Sequence, residues 1–410
     1  MRFIYNIIIQ FYRLAIIFFS TFNEKARLWH RGRKDFFKEW ENFDSKNRKV
    51  IWIHCASLGE FEQGRPVIEE LKKRDPDIFI LLTFFSPSGY EIRKDYALAD
   101  AVCYIPVDTY RNARRFIRAF SPCAAVFIKY EFWYHYINEL YKSGIPLYLV
   151  SANFRPDQLF FRWYGSWFAG MLHKFTHIFV QSNSSEELLR SIEVEQVSVA
   201  GDTRFDRVYT LAQSSREIPA AAGFSAGTFT IVAGSTWPPD HEILVRYIHE
   251  TVHPVKMIIA PHEIDENEVK RLAAKFNLPV ARFSTAKKPD LKAARVLIID
   301  NIGMLSSLYS YGSLAYIGGG FGKGIHNILE ACTQGIPVIF GPNYKKFREA
   351  MELVREGGAF PVKDFHGFFE IAEELLNNVA ALKEAGDTAK NYVEKGIGAT
   401  CRIVDKILIS

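Results

Sequence analysis

The sequence predicts two doubly wound, Rossmann-like α/β domains facing a cleft, preceded by one apolar N-terminal helix. Three observations carry this. From residue 50 onward, short β-rich apolar runs alternate with amphipathic stretches, the pattern of parallel strands covered by helices. That alternation lapses once, near 208–228, in small and turn-forming residues (TLAQSSREIPAAAGFSAG) that suit a linker. Before it all, Phe3 to Phe22 form a nearly unbroken apolar run of about 20 residues, close to the length of one membrane span. The expected division is 1–34 for an anchor helix and basic collar, 35–207 for the first α/β domain and 208–228 for the linker. It continues with 229–385 for the second domain and 386–410 for a C-terminal helix.

Within the N-terminal run, Asn6, Gln10, Arg13 and Ser20 fall on one helical stripe. Such a helix can lie in a membrane interface, or span with that stripe against protein. Lys25, Arg27, Arg31, Arg33 and Lys34 follow with Trp29 among them, and a basic collar beside an apolar helix stays on the cytoplasmic side. A cleaved leader would carry its charges first and a small-residue cleavage site afterwards, and neither is clear. The expectation is a membrane anchor, with a buried helix of the first domain as its competitor.

The first domain's strands read as 50–56, 78–85, 101–107, 124–130, 146–152 and 176–182. Those of the second read as 228–236, 255–262, 295–300, 313–320 and 337–341, with a helical tail from about 364. Two such sheets in series place a ligand cleft at their carboxyl ends. With 410 residues, 48% hydrophobic and 24% charged, the chain can bury large cores. A formal charge of +5 gives no argument for nucleic acid. The five cysteines are scattered without metal-ligand spacing, and the histidines form no HExxH. No metal and no cofactor are expected.

Two carboxylates stand out. His54-Cys55-Ala56-Ser57-Leu58-Gly59-Glu60 follows the first strand and enters a helix, so Glu60 lies where a helix dipole favours an ionised, base-competent carboxylate. Alone, Glu60 reads better as a favourable first-turn charge. Glu131 ends another strand of the same sheet, in Lys129-Tyr130-Glu131-Phe132-Trp133, and the pair suggests acid/base or charge-stabilising work. In the second domain, Gly318 to Ala331 offer a glycine-rich loop opening on a helix, chemistry for a phosphate. This loop satisfies neither common nucleotide fingerprint. Glu330 suits ribose hydroxyls, although Asn327-x-x-Glu330 is also a capping-box spacing. Gly223-Phe224-Ser225-Ala226-Gly227 matches a nucleophile elbow as a string but precedes a strand, the wrong order.

Together these segments resemble the 3-deoxy-D-manno-octulosonic acid (Kdo) transferases of lipid A biosynthesis, whose two-domain architecture is called GT-B. Ser57-Leu58-Gly59-Glu60 is similar to the family's Ser-x-Gly-Glu loop. Lys129 to Tyr134 is similar to Glu-x-Glu-Ile-Trp-Pro, without the first glutamate and the proline. Ser151 to Arg155 resembles an Asn-Ala-Arg stretch, and Gly201 to Asp206 resembles Gly-Asn-x-Lys-Phe-Asp with Arg204 in place of lysine. Ala233-Gly234-Ser235-Thr236 matches well. Ala260-Pro261-His262 lacks the arginine of Pro-Arg-His, and Asp300 to Leu305 lacks the glutamate of Asp-Thr-x-Gly-Glu-Leu. His326 to Ala331 keeps His-Asn-x-Leu-Glu-Ala, followed by Gly341-Pro342.

The resemblance implies inverting, metal-free transfer of Kdo from CMP-Kdo to a lipid A precursor (lipid IVA) at the inner membrane, the catalytic domains facing the cytoplasm. It implies Glu60 as general base, with Glu131 and Arg204 stabilising charge. For the donor it implies Ser57, Gly59, Ser235, Thr236, Pro261, His262, Ile302, Gly303, Met304, Gly319, Gly320, His326, Asn327, Ile328, Leu329 and Glu330. The rivals are a membrane-associated transferase of the same architecture using a UDP-sugar, and a non-catalytic nucleotide-binding membrane protein.

Overall fold

The computed structural model describes residues 1–214 and 217–409; residues 215 and 216 of the predicted linker, and Ser410 of the predicted C-terminal helix, lie outside the described residues. The chain forms two compact units, residues 1–206 with 397–410, and residues 207–396.

The first unit holds a seven-stranded parallel sheet: β1 (Val50–Cys55), β2 (Phe79–Phe84), β3 (Ala101–Tyr104), β4 (Ala124–Ile128), β5 (Leu147–Ala152), β6 (His177–Val180) and β7 (Val197–Val199). Their order is β3-β2-β1-β4-β5-β6-β7. Strands buried on both faces need apolar residues at every position, and Val50–Cys55, Phe79–Phe84 and Ala124–Ile128 are buried throughout. One face packs Trp52, Phe116, Phe127 and Tyr136. The other packs Ile53, Phe61, Val67 and Leu71 beneath helix Leu58–Arg74, together with Ile403, Val404 and Ile407.

The second unit repeats the plan with β8 (Thr230–Thr236), β9 (Lys256–Pro261), β10 (Val280–Arg282), β11 (Val296–Ile298), β12 (Leu314–Ile317), β13 (Val338–Phe340) and β14 (Ala359–Pro361). Their order is β10-β11-β9-β8-β12-β13-β14, all neighbours parallel. In each sheet the winding reverses at one point, between β1 and β4 and between β8 and β12. The carboxyl ends of those central strands are where doubly wound sheets bind ligands.

Several expectations need correction. The apolar helix is Arg2–Phe19, and a separate helix, Glu24–Lys34, carries the basic residues behind an Asn23 cap. Both belong to the first unit. Tyr5 donates its hydroxyl to the buried Asp108, Asn6 bonds His135 at 2.7 Å, and Ile9 is buried. Tyr5, Asn6 and Ile9 thus seat the helix on protein, while Gln10 and Arg13 of the polar stripe stay exposed with Phe3, Ile4, Ile8, Phe11, Leu14, Phe18 and Phe19. The helix is long and apolar enough to cross a membrane by length and composition. Arg33, expected in the basic collar, turns inward and is part-buried; its guanidinium donates to the carbonyls of Ile105 (2.8 Å), Trp29 (3.0 Å) and Phe85 (2.7 Å).

The predicted linker is largely helical, in Thr203–Gln213 and Pro219–Ser225. The single helix expected at 386–410 is two, Val379–Lys395 and Ala399–Ile409. The second returns to the first unit, where Asp206 accepts from the Gly398 N–H and from both the N–H and hydroxyl of Thr400.

Candidate active site

At the β1/β4 switch point, Ser57 caps helix Leu58–Arg74: its hydroxyl oxygen accepts from the Gly59 N–H (3.2 Å) while the hydroxyl donates to the Glu60 carboxylate. Glu60 is therefore oriented by its own helix cap, in the first turn, where the helix dipole favours negative charge. Glu131 is only 7% exposed. One of its oxygens lies 2.6 Å from Trp133 Nε1 and 2.9 Å from His54 Nε2. Behind it, Trp52 Nε1 and His54 Nδ1 each lie 2.8 Å from the Thr83 hydroxyl. An indole N–H can only donate, so the Thr83 oxygen accepts from Trp52 and its proton is free for His54 Nδ1. That leaves Nε2 to carry the imidazole proton and donate to Glu131. Glu131 is a buried carboxylate with two N–H donors, the arrangement a buried anion requires.

Burial first, then the fields of Glu60 and Glu131, push the Cys55 thiol well up. Nearby, Lys129 sits just past β4 with φ +70°, and Ser151 in β5 with φ +56° at a break in register. Non-glycine residues in the left-handed region cost energy, and they gather here at the carboxyl end of the sheet.

Arg204, expected as a charge-stabilising cation, is itself paired. Its side chain meets Asp202 at 3.0 and 2.8 Å. Burial alone would push Asp202 up, but Arg204 and, more weakly, Lys129 hold it below the ordinary range. Gln181 adds a bond at 3.0 Å.

The β8/β12 switch point is built differently. Trp237 stacks on His262 with centroids 4.7 Å apart, and His262 stacks on His326 at 4.3 Å. Trp237 Nε1 donates to His326 Nε2 (3.0 Å), so Nδ1 carries that ring's proton. Burial, then neighbouring His262, hold His326 down to about 4, which keeps it neutral at pH 7. Asp240, in the first turn of helix Pro238–Glu250, accepts from the Tyr316 hydroxyl (2.7 Å), the Trp237 N–H (2.8 Å) and the Gly319 N–H (3.0 Å). It clamps the glycine loop to the helix start. Gly319 has φ +88°, and a Cβ there would meet the Gly324 carbonyl at 2.6 Å; one on Gly320 would meet Gly341 backbone at 2.5 Å. Trp237, Asp240, Gly319, Lys323 and His326 line a cavity of about 410 Å³.

The other predicted donor residues fall unevenly. Ser57 and Gly59 lie in the first unit beside Glu60, and the rest lie in the second. Ser235 has φ +53° at a register break in β8, and Thr236 bonds His241 at 2.9 Å. Pro261 ends β9, and the His262 N–H donates to the Thr236 carbonyl. Ile302, Gly303 and Met304 form a turn in which Ile302 is 90% exposed. Ile328 and Leu329 are buried core residues, so only their backbone is available to a ligand. The glycine loop does not open directly on a long helix: Leu329–Thr333 is a single short turn. No capping box forms at Asn327, because its side chain accepts from Leu329 N–H and donates to Glu330 (3.1 Å).

Sequence reasoning gave no role to His54, Thr83, Trp237 or Asp240. A signal for His54 was there: a polar residue inside the apolar run VIWIHC must find a partner.

The family model described as "3-Deoxy-D-manno-octulosonic-acid transferase (kdotransferase)" matches residues 29–207. The 3-deoxy-D-manno-octulosonic acid transferase of Aquifex aeolicus is 30% identical over 360 residues, covering 86% of this chain and 92% of that relative. The chain belongs to the Kdo transferase family. The Rickettsia felis transferase is 28% identical over 357 residues, covering 85% of this chain and 76% of the relative. Among solved structures, UDP-GlcNAc 2-epimerase from Neisseria meningitidis shares the fold with TM-score 0.62 at 17% identity, covering 88% of this chain and all of that one. MurG of Acinetobacter baumannii does so with TM-score 0.58 at 14% identity and the same coverage. The fold is GT-B, and membership makes the chain a glycosyltransferase.

Proposed function

We propose that this enzyme transfers Kdo from CMP-Kdo to a lipid A precursor with inversion, using Glu60 as general base. The observation that carries the reading is Glu60 itself, oriented by the Ser57 cap at the switch point of the first sheet. An acceptor hydroxyl oxygen would attack the anomeric carbon and pass its proton to Glu60. The bond from that carbon to the phosphate oxygen breaks, and CMP leaves with the electron pair. Glu131, oriented by its hydrogen bonds to His54 and Trp133, would stabilise positive charge developing on the sugar. Arg204, anchored on Asp202, would supply positive charge toward the departing phosphate. No step calls for a metal.

The donor would use the second unit: phosphate against the Gly319–Gly320 loop and His326 Nδ1–H, ribose hydroxyls on Glu330. The exposed apolar face of helix Arg2–Phe19 and the cations after it support attachment to the cytoplasmic face of the inner membrane, where the acceptor resides. The test is to incubate purified protein with CMP-Kdo and lipid IVA, and with UDP-sugars in parallel. CMP release together with a Kdo mass increment on the lipid is expected. Transfer from a UDP-sugar but not from CMP-Kdo would overturn the reading.

A further inference from the structure

Between the apolar helix, the collar helix Glu24–Lys34 and the loop after β3 lies a second cavity, of about 270 Å³, lined by Arg13, Trp29, His30, Arg33, Lys34 and Asn112 among others. Three observations give it a chemistry. Trp29 is 4% exposed, and its indole N–H is buried without a hydrogen-bond partner. An orphaned buried donor costs free energy unless a ligand supplies the acceptor. Arg33 is part-buried against carbonyls and over the Trp29 ring (4.0 Å), and among the described residues no carboxylate balances its charge. Arg13 and Lys34 are exposed and make no ion pair among the described residues, although carboxylates partner many of this chain's other cations.

We infer that this cavity binds a phosphomonoester carried by an amphiphile in the bilayer. A compact dianion accepts the Trp29 N–H, reaches Arg13 and Lys34, and balances Arg33. An acyl chain can do none of these. The volume takes a phosphate with part of the sugar or glycerol that bears it, and the apolar chains stay beside the exposed Phe3, Ile7, Phe11 and Leu14. The inference rests on the membrane-acceptor reading above and adds to it the group by which the acceptor is held.

The full-length protein is tested for binding to neutral vesicles containing phosphatidic acid, a monoester, or phosphatidylglycerol, a diester, matched in charge. Wild type should prefer the monoester by roughly tenfold or more, the scale of one hydrogen bond to a charged group. Arg13→Gln with Lys34→Gln should abolish the preference, and Trp29→Phe should reduce it. Lys363→Gln with Lys383→Gln, two exposed charges in the second unit, should leave it intact. Equal binding of the two lipids, or a preference that survives the Arg13/Lys34 pair, would show membrane electrostatics without a site and overturn the inference. Inorganic phosphate binding as tightly as the vesicle headgroup would overturn the lipid assignment. Transfer from CMP-Kdo, measured separately in detergent, reports on the activity itself, so the two readings fail independently.

Discussion

The two switch points occupy the same place in the same fold yet are made of different materials. The first gathers ionisable groups: Glu60 on its Ser57 cap, Glu131 on His54 and Trp133, Asp202 on Arg204. The second offers stacked neutral rings and glycine backbone, with its acid, Asp240, spent on the scaffold. A site full of oriented carboxylates is made to move or balance charge. A site of flat rings and open amides is made to hold a ligand that brings its own charge. Under the proposed function, the difference assigns chemistry to the first unit and donor binding to the second.

The sharpest way to break that division is Glu60→Gln. Turnover should fall by about 10²–10⁴, the usual contribution of a general base, with CMP affinity unchanged by calorimetry. A loss of nucleotide affinity of similar size would blur the two roles. Glu330→Gln should do the reverse, weakening CMP binding by about 1–3 kcal/mol with little change in melting temperature. A silent outcome would make Glu330 a structural partner of Asn327 and remove it from the nucleotide site.

A smaller effect separates scaffold from chemistry. Tyr5→Phe removes one of three donors to buried Asp108 and should cost about 1–2 kcal/mol of first-unit stability in denaturant titration. Deleting residues 1–24 should cost more, because it also uncovers His135 and the Ile9 contact; nucleotide binding by the second unit should persist.

The smallest is acid sensitivity. The folded value of His326, about 4, lies below its ordinary 6.5 because of burial and then His262. The unfolded chain therefore takes up the proton first. Stability is fully present above pH 6.5 and declines as pH falls toward 4. Thermal melts across that range should show a shallower decline for His326→Asn, with His135 and His241, also held near 4 chiefly by burial, accounting for the remainder.

The central strands were legible because a strand covered on both faces writes itself as a continuous apolar run. Three strands were not: Val197–Val199, Val280–Arg282 and Ala359–Pro361. Each has three residues, and each is an edge strand, paired on one side only and partly exposed, so nothing forces an apolar pattern. Glu60 and Glu131 were legible because each follows closely on a strong strand. The Trp237–His262–His326 stack was not, because its members come from three separate loops and only the fold brings them together. Arg33 misled for a related reason: among four other cations it reads as collar, and only carbonyls distant in sequence reveal that it turns inward.

The clasp at Asp206 has a consequence for how this chain came to be and how it can be cut. Its carboxylate holds Gly398 and Thr400, so the points where the polypeptide leaves the first unit and re-enters it are a hydrogen bond apart. Topologically, residues 207–396 are an insertion in a host that begins and ends with its own helices. Such a guest can be excised and the host closed by a short peptide from 206 to 397, giving two half-proteins whose complementation in trans would measure how far catalysis depends on the covalent joint.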